Sequence, residues 1–128
     1  MLDTDIRRAL LQHLAAYPFI IKEMGVCGQV RCDVVALSEE MVGYEIKSDA
    51  DTLRRLPWQV EWYSRVLDCA HVVTTERHLE GVQGVVPEWW GVMVASGPAD
   101  DVRLQPLREA GANPSLDTRS LVDLLWRP

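Results

Sequence analysis

Asp33, in "VRCDVVAL", and Glu45 and Lys47, in "MVGYEIKS", place two acids and a base in segments that otherwise read as buried strands. Glu45 and Lys47 are two apart, so on a strand they share one face. Two carboxylates at facing positions can hold Mg²⁺, a hard cation that takes oxygen ligands and keeps waters for a substrate phosphate. The backbone carbonyl of Ile46 can add a third oxygen. Lys47 alongside can orient an attacking water and offset charge building on a phosphoryl group. Together these parts would perform metal-assisted phosphodiester hydrolysis. Glu-x-Lys on a strand is also an ordinary solvated ion pair, and these two residues alone do not separate the readings.

Register decides whether Asp33 joins them. A three-residue turn at Ser38–Glu40 sets Asp33 across from Glu45. Cys32, Val34 and Ala36 then share a face with Tyr44 and Ile46, and Arg31 and Asp33 share the other with Glu45 and Lys47. A two-residue turn would set Asp33 beside Ile46 and mix charge with core. Hydrophobic sorting selects the first register.

Residues 3 to 16 read as a helix that Asp3 or Thr4 can cap, with Ile6, Leu10 and Leu14 repeating at i, i+4. "FIIKEM", 30–37 and 41–48 read as three strands, with "GVCGQ" a turn between the first two. The main helix starts near Pro57, which a first turn tolerates, and runs to about Asp68. "AHVVTT" (70–75) and "WWGVMVA" (89–95) are strands, and "ERHLEGVQGVVPE" between them reads as a polar loop. "VRLQPLREAGANPS" reads as irregular, and "LDTRSLVDLLW" as a short helix capped by Asp117, with Leu121, Leu124 and Leu125 inward. The expected fold is α/β, a mixed central sheet flanked by helices. Residues 1–96 form the core, and 97–128 an extension whose helix packs on the same domain.

The 128 residues suit one domain, and 48% hydrophobic with 25% charged residues is an ordinary globular balance. No apolar run nears the roughly 20 residues that cross a bilayer, and the N-terminus lacks a signal-peptide pattern, so a cytoplasmic protein is expected. Cys27, Cys32 and Cys69 make neither a disulfide framework nor a CxxC pair. The net charge of −6 argues against broad affinity for nucleic acid, though not against a local site that a divalent ion would reverse in sign. Eleven of the thirteen basic residues are arginines; Arg31, Arg54 and Arg55 are best placed for phosphate contacts. Asp49 and Asp51 read as local caps of the turn after the strand. Trp58 and Trp62 make an i, i+4 stripe whose exposure would suit base stacking or a protein interface. His71 and His78 have no partner at ligand spacing.

"RCDVV" followed by "YEIKS" resembles the PD-(D/E)XK nuclease superfamily, whose site is an Asp on one strand and Glu-x-Lys on the next. "QVEWY" is similar to the Gln-x-x-x-Tyr helix motif of its RecB-like and Cas4-like branch, carried here by Gln59 and Tyr63. More narrowly, "YEIKSDADTLRRLPWQVEWYSRVLD", "HVVTT" and "PEWWGV" resemble the sce7726 family of bacterial and phage proteins, over about residues 19 to 95. The resemblance implies an αβββαβ restriction-endonuclease-like core and catalytic roles for Asp33, Glu45, Lys47, Gln59 and Tyr63. It implies Mg²⁺, with Mn²⁺ substituting, on Asp33, Glu45 and the Ile46 carbonyl. Glu23 is the nearest candidate for the further carboxylate that the superfamily often carries on its first helix. The expected activity is hydrolysis of DNA in phage or bacterial processing or repair, with RNA an alternative substrate. A homodimer or a protein partner is compatible with this, and the competing expectation is a catalytically silent adaptor on the same fold.

Overall fold

The computed structural model describes residues 1–126; residues 127 and 128, the end of the expected extension, lie outside them. The elements are α1 (Asp3–His13), β1 (Phe19–Val26), β2 (Val30–Leu37), β3 (Met41–Lys47), α2 (Leu56–Val66), β4 (Cys69–Thr74), α3 (Glu76–Gln83), β5 (Gly91–Ser96), β6 (Arg103–Arg108) and α4 (Thr118–Trp126). The strands form one mixed sheet in chain order, with β3–β4 and β4–β5 parallel and the other neighbours antiparallel. The parallel β3–β4 pair needs a crossover, which α2 supplies. Among the described residues no helix is long and apolar enough to cross a membrane.

Two apolar layers hold the sheet. On one face Ile6 and Leu10 of α1, with Leu14 just beyond it, meet Val34, Ala36, Tyr44, Ile46 and Val73. On the other, Leu56, Tyr63 and Val66 of α2 and Val82 of α3 meet Cys32, Val35, Val72 and Val92, with Leu121 and Leu124 of α4 packed outside them. The i, i+4 spacing of residues 6, 10 and 14 makes the single buried stripe of α1. Neither expected residue is its N-cap: Leu2 holds that position, and Asp5 accepts its N–H.

Four other expectations change. "ERHLEGVQ" is a helix, not a loop. Gly81, a breaker in the sequence, is a packing point: a Cβ there would come within 2.6 Å of Leu53 Cδ1. Residues 103–108, expected to be irregular, form β6 along β5. Pro106 is tolerated there because β6 is an edge strand with no further ladder to serve. The segment after residue 96 therefore completes the sheet as well as adding a helix. Leu125 points outward at 71% exposure, while Leu121 and Leu124 pack inward.

The fourth change lies in β2. Cys32 does not share a face with Val34 and Ala36; it packs in the α2 layer with Val35. Alternation changes phase at Asp33, where both neighbouring ladders are interrupted. β1 pairs Lys22 with Val34 and Met24 with Cys32, and the intervening Glu23–Asp33 pair is missing because Glu23 has φ 54°. The β2–β3 ladder stops at Val34–Tyr44. The sheet thus opens at Asp33.

Candidate active site

β2 and β3 pair as Val34↔Tyr44, Val35↔Gly43, Ala36↔Val42 and Leu37↔Met41, across the three-residue turn that hydrophobic sorting selects. One step further along that register stands Asp33 opposite Glu45. There the backbone ladder gives way to a side chain: the Ile46 N–H donates to Asp33 Oδ2 at 2.8 Å. Gly43 lets the strand lie close beneath Leu67, the residue that caps the end of α2, since a Cβ there would fall onto Leu67 Cδ1.

Asp33, Glu45, Ile46, Lys47 and Gln59 line one cleft of about 530 Å³, with Glu23, Arg31 and Arg55 also on its walls. Glu45 and Lys47 are 4% and 6% exposed, too buried for a solvated surface pair. Lys47 Nζ lies 3.3 Å from Glu45 Oε2. Gln59 Nε2 donates to the same oxygen at 3.0 Å. Gln59 Oε1 is buried without a hydrogen-bond partner among the described residues, leaving an acceptor at the cleft wall. The Lys47 carbonyl is fixed in turn by the Thr74 hydroxyl, which donates to it at 3.0 Å.

Tyr63 stands behind the site and does not line the cleft. Its hydroxyl lies 2.6 Å from both the Arg31 carbonyl oxygen and Glu45 Oε1. The hydroxyl has one proton, and both neighbours are acceptors when Glu45 is ionised. Tyr63 therefore donates to one of them at a time, to the Arg31 carbonyl or to an ionised Glu45. Burial, then the nearby Asp33 carboxylate, push the Glu45 carboxyl up to about 8, against the pull of Lys47 and Tyr63. Burial also raises Asp33, partly offset by the Ile46 N–H and by Arg7. Tyr63 and Cys32, buried next to these acids, are held in their neutral forms.

Arg7 of α1 is a residue that the sequence reading missed. Its guanidinium donates to Asp33 Oδ1 at 3.3 Å and to the Asp33 carbonyl at 3.2 Å. The same group reaches Glu23 Oε1 and Asp3 Oδ1, each at 3.2 Å. Asp3 lines the cleft, so a carboxylate of the first helix does stand at the site, in addition to Glu23 on β1. The available signal was Asp3-x-x-x-Arg7, an i, i+4 ion pair on the polar side of α1.

Arg31 and Arg55 are exposed and line the cleft, whereas Arg54 is exposed away from it. Asp51 is held locally, accepting from the Ser48 N–H at 2.7 Å, and Asp49 accepts from the Thr75 hydroxyl at 2.6 Å. His71 stacks on Tyr44 with ring centroids 4.5 Å apart, and burial lowers its pKa to about 4. Trp90 is wholly buried against Tyr63, while Trp58 is 45% exposed.

Two carboxylates and a backbone carbonyl suit a hard cation that retains water. Among the described residues no group of three or more His, Cys, Asp or Glu side chains is arranged to hold a metal ion, so any ion would rest on this smaller set.

Residues 2–127 match the family described as Bacteriophage P4 protein cII. No curated protein matches the chain. Among solved structures, the SPO1766 protein of unknown function from Silicibacter pomeroyi is similar, with 23% identity and a TM-score of 0.64 over 97% of this chain and 84% of that one. At that identity the likeness speaks for the α/β fold alone.

Proposed function

The chain belongs to the bacteriophage P4 protein cII family, and from the site described above we propose that it is a Mg²⁺- or Mn²⁺-dependent deoxyribonuclease of the PD-(D/E)XK type. The observation that carries this reading is the convergence of Asp33, Glu45 and Lys47 on one cleft, with both strands opened at Asp33. A buried acid–acid–base cluster costs stability that pairing only partly offsets, and such clusters concentrate at functional sites. Asp33, Glu45 and the Ile46 carbonyl would hold the ion. When bound, it supplies polarisation of a phosphoryl oxygen and a lowered pKa for an attacking water.

The chain's own residues do the rest. Lys47 orients the attacking water and faces the negative charge that develops on the phosphoryl oxygens. Gln59 holds Glu45 from the cleft wall and Tyr63 from behind, while Arg7 holds Asp33 from α1, so both carboxylates are aimed by neighbouring side chains. Arg31 and Arg55 bind flanking phosphates at the cleft mouth. The setting is processing or repair of phage or bacterial DNA in the cytoplasm.

Incubation of the purified protein with plasmid and linear DNA in Mn²⁺ tests this. Cleavage is expected, with Lys47→Ala reducing it by about a hundredfold or more while the fold persists. Undiminished cleavage by that variant removes the proposal. One observation favours a catalytically silent adaptor instead: each of the four carboxylate oxygens of Asp33 and Glu45 already meets a protein donor. Calorimetric titration separates the two readings. The nuclease binds Mn²⁺ with heat that Asp33→Asn abolishes, and the adaptor gives none.

A further inference from the structure

The outer flank of α2 carries a row that the nuclease chemistry does not use. Residues 56, 59, 63 and 66 face the sheet. At 100° per residue, Arg55, Trp58, Trp62 and Arg65 fall together on one adjoining flank, spaced three, four and three apart. Trp58 and Trp62 meet edge to face with centroids 5.9 Å apart. The Arg65 guanidinium lies 4.1 Å over the Trp62 ring. The Nε1–H of Trp62 is buried with no hydrogen-bond partner among the described residues, an unspent donor on this flank.

This row joins two hollows. Arg55 lines the cleft of the acid–base cluster, and Trp62, Arg65 and Arg119 line a second hollow of about 260 Å³. The β1–β2 turn borders both, through Gly28 in the first and Cys27 in the second. Both residues have positive φ (52° for Cys27, 69° for Gly28), as a mirror-image hairpin turn needs, which holds the turn tight beside α2.

We propose that the α2 flank is a binding groove for single-stranded DNA, leading from the cleft past Trp58 to the hollow at Arg65 and Arg119. Arginines at both ends meet phosphates, and the exposed Trp58 ring between them meets an unpaired base. Arg65 pairs with Glu61 at 2.9 Å, and the second hollow also holds Asp117 and Asp123, so Arg65 and Arg119 there roughly balance the acids and stacking on Trp58 carries most of the binding. A duplex keeps its base faces stacked inside and offers Trp58 nothing to stack on. A chain of net charge −6 has little sequence-independent phosphate attraction to spend on a duplex. Base–aromatic stacking supplies what the charge does not. The groove spans about 15 Å of helix, enough for a few nucleotides.

The choice of DNA rests on the nuclease reading, but the binding is measured without metal. Fluorescence anisotropy of labelled oligodeoxythymidylate with the full chain in EDTA is expected to show binding about tenfold or more tighter than to a blunt duplex. Trp58→Ala is expected to weaken it about tenfold, with Trp58→Phe retaining most of it. Trp58 is half exposed, so both variants fold, and their thermal midpoints verify this. Equal or tighter binding to the duplex, unchanged affinity in Trp58→Ala, or tighter binding of oligouridylate overturns the proposal. Selective single-strand binding without Mn²⁺-dependent cleavage removes the nuclease and leaves the groove; cleavage without single-strand preference does the reverse.

Discussion

Replacing Glu45 by Gln keeps the side chain's shape and removes its titration. In the metal-free protein Glu45 rises from 4.5 to about 8. A carboxyl whose folded pKa lies above its unfolded value stabilises the fold only while protonated. Its contribution is therefore complete below pH 4.5, is lost as pH rises, and is gone above about 8. The whole loss is about 5 kcal/mol, from 1.36 kcal/mol per unit. His71 acts in the opposite sense: its pKa falls from 6.5 to about 4, so its burial costs stability as pH drops through that range. The two slopes oppose each other below pH 6.5, and above it Glu45 acts without His71. From pH 6.5 to 8 the wild type is expected to lose about 2 kcal/mol relative to Glu45→Gln. Urea unfolding of both proteins in EDTA, at half-unit intervals from pH 5 to 9, measures this difference directly. Parallel stability curves from pH 6.5 to 8 would refute the upward shift that burial and Asp33 impose on Glu45. Repeating the series in Mn²⁺ should reverse the sign for wild type alone, because an ion on Glu45 competes with its proton.

Two further substitutions probe the supports of the site. Tyr63→Phe leaves the Arg31 carbonyl without its donor and Glu45 short of a partner, a cost of about 1–3 kcal/mol in the urea midpoint at pH 6.5. Gly43→Ala drives a methyl onto Leu67, which is wholly buried and cannot swing aside, and should cost about 1–3 kcal/mol in thermal or urea unfolding. A neutral result for Gly43→Ala would mean that Leu67, capping α2, does not press on β3 as described.

How much of this was legible beforehand varies with how local each feature is. β2 and β3 follow from alternating apolar residues and a turn between them, and their register follows because any other would bury charge against core. Asp33 facing Glu45, and Glu45 sharing a face with Lys47, are nearest-neighbour consequences of that pattern. So is the pairing of Gln59 and Tyr63 on the sheet-facing side of α2, since an i, i+4 spacing needs only the helix. The amphipathic stripe of α1 is legible in the same way.

Tertiary contacts decided the rest. Alternation alone sets Cys32 beside Val34, but the left-handed turn at Glu23 breaks the neighbouring ladder and moves it to the opposite layer. Gly81 and Pro106 signal loops by propensity, yet one is the point where α3 closes on Leu53 and the other sits on an edge strand. Arg7 reaches Asp33 across 26 residues, and such a contact exists only once α1 lies along the sheet. The amino-acid order by itself determined which residues face each other across one turn or along one helix, because backbone periodicity and burial settle those choices within a few residues. Which distant charges meet, and which weak formers of structure become helix or strand, depended on the packed neighbours, because there the energy of burial exceeds local propensity.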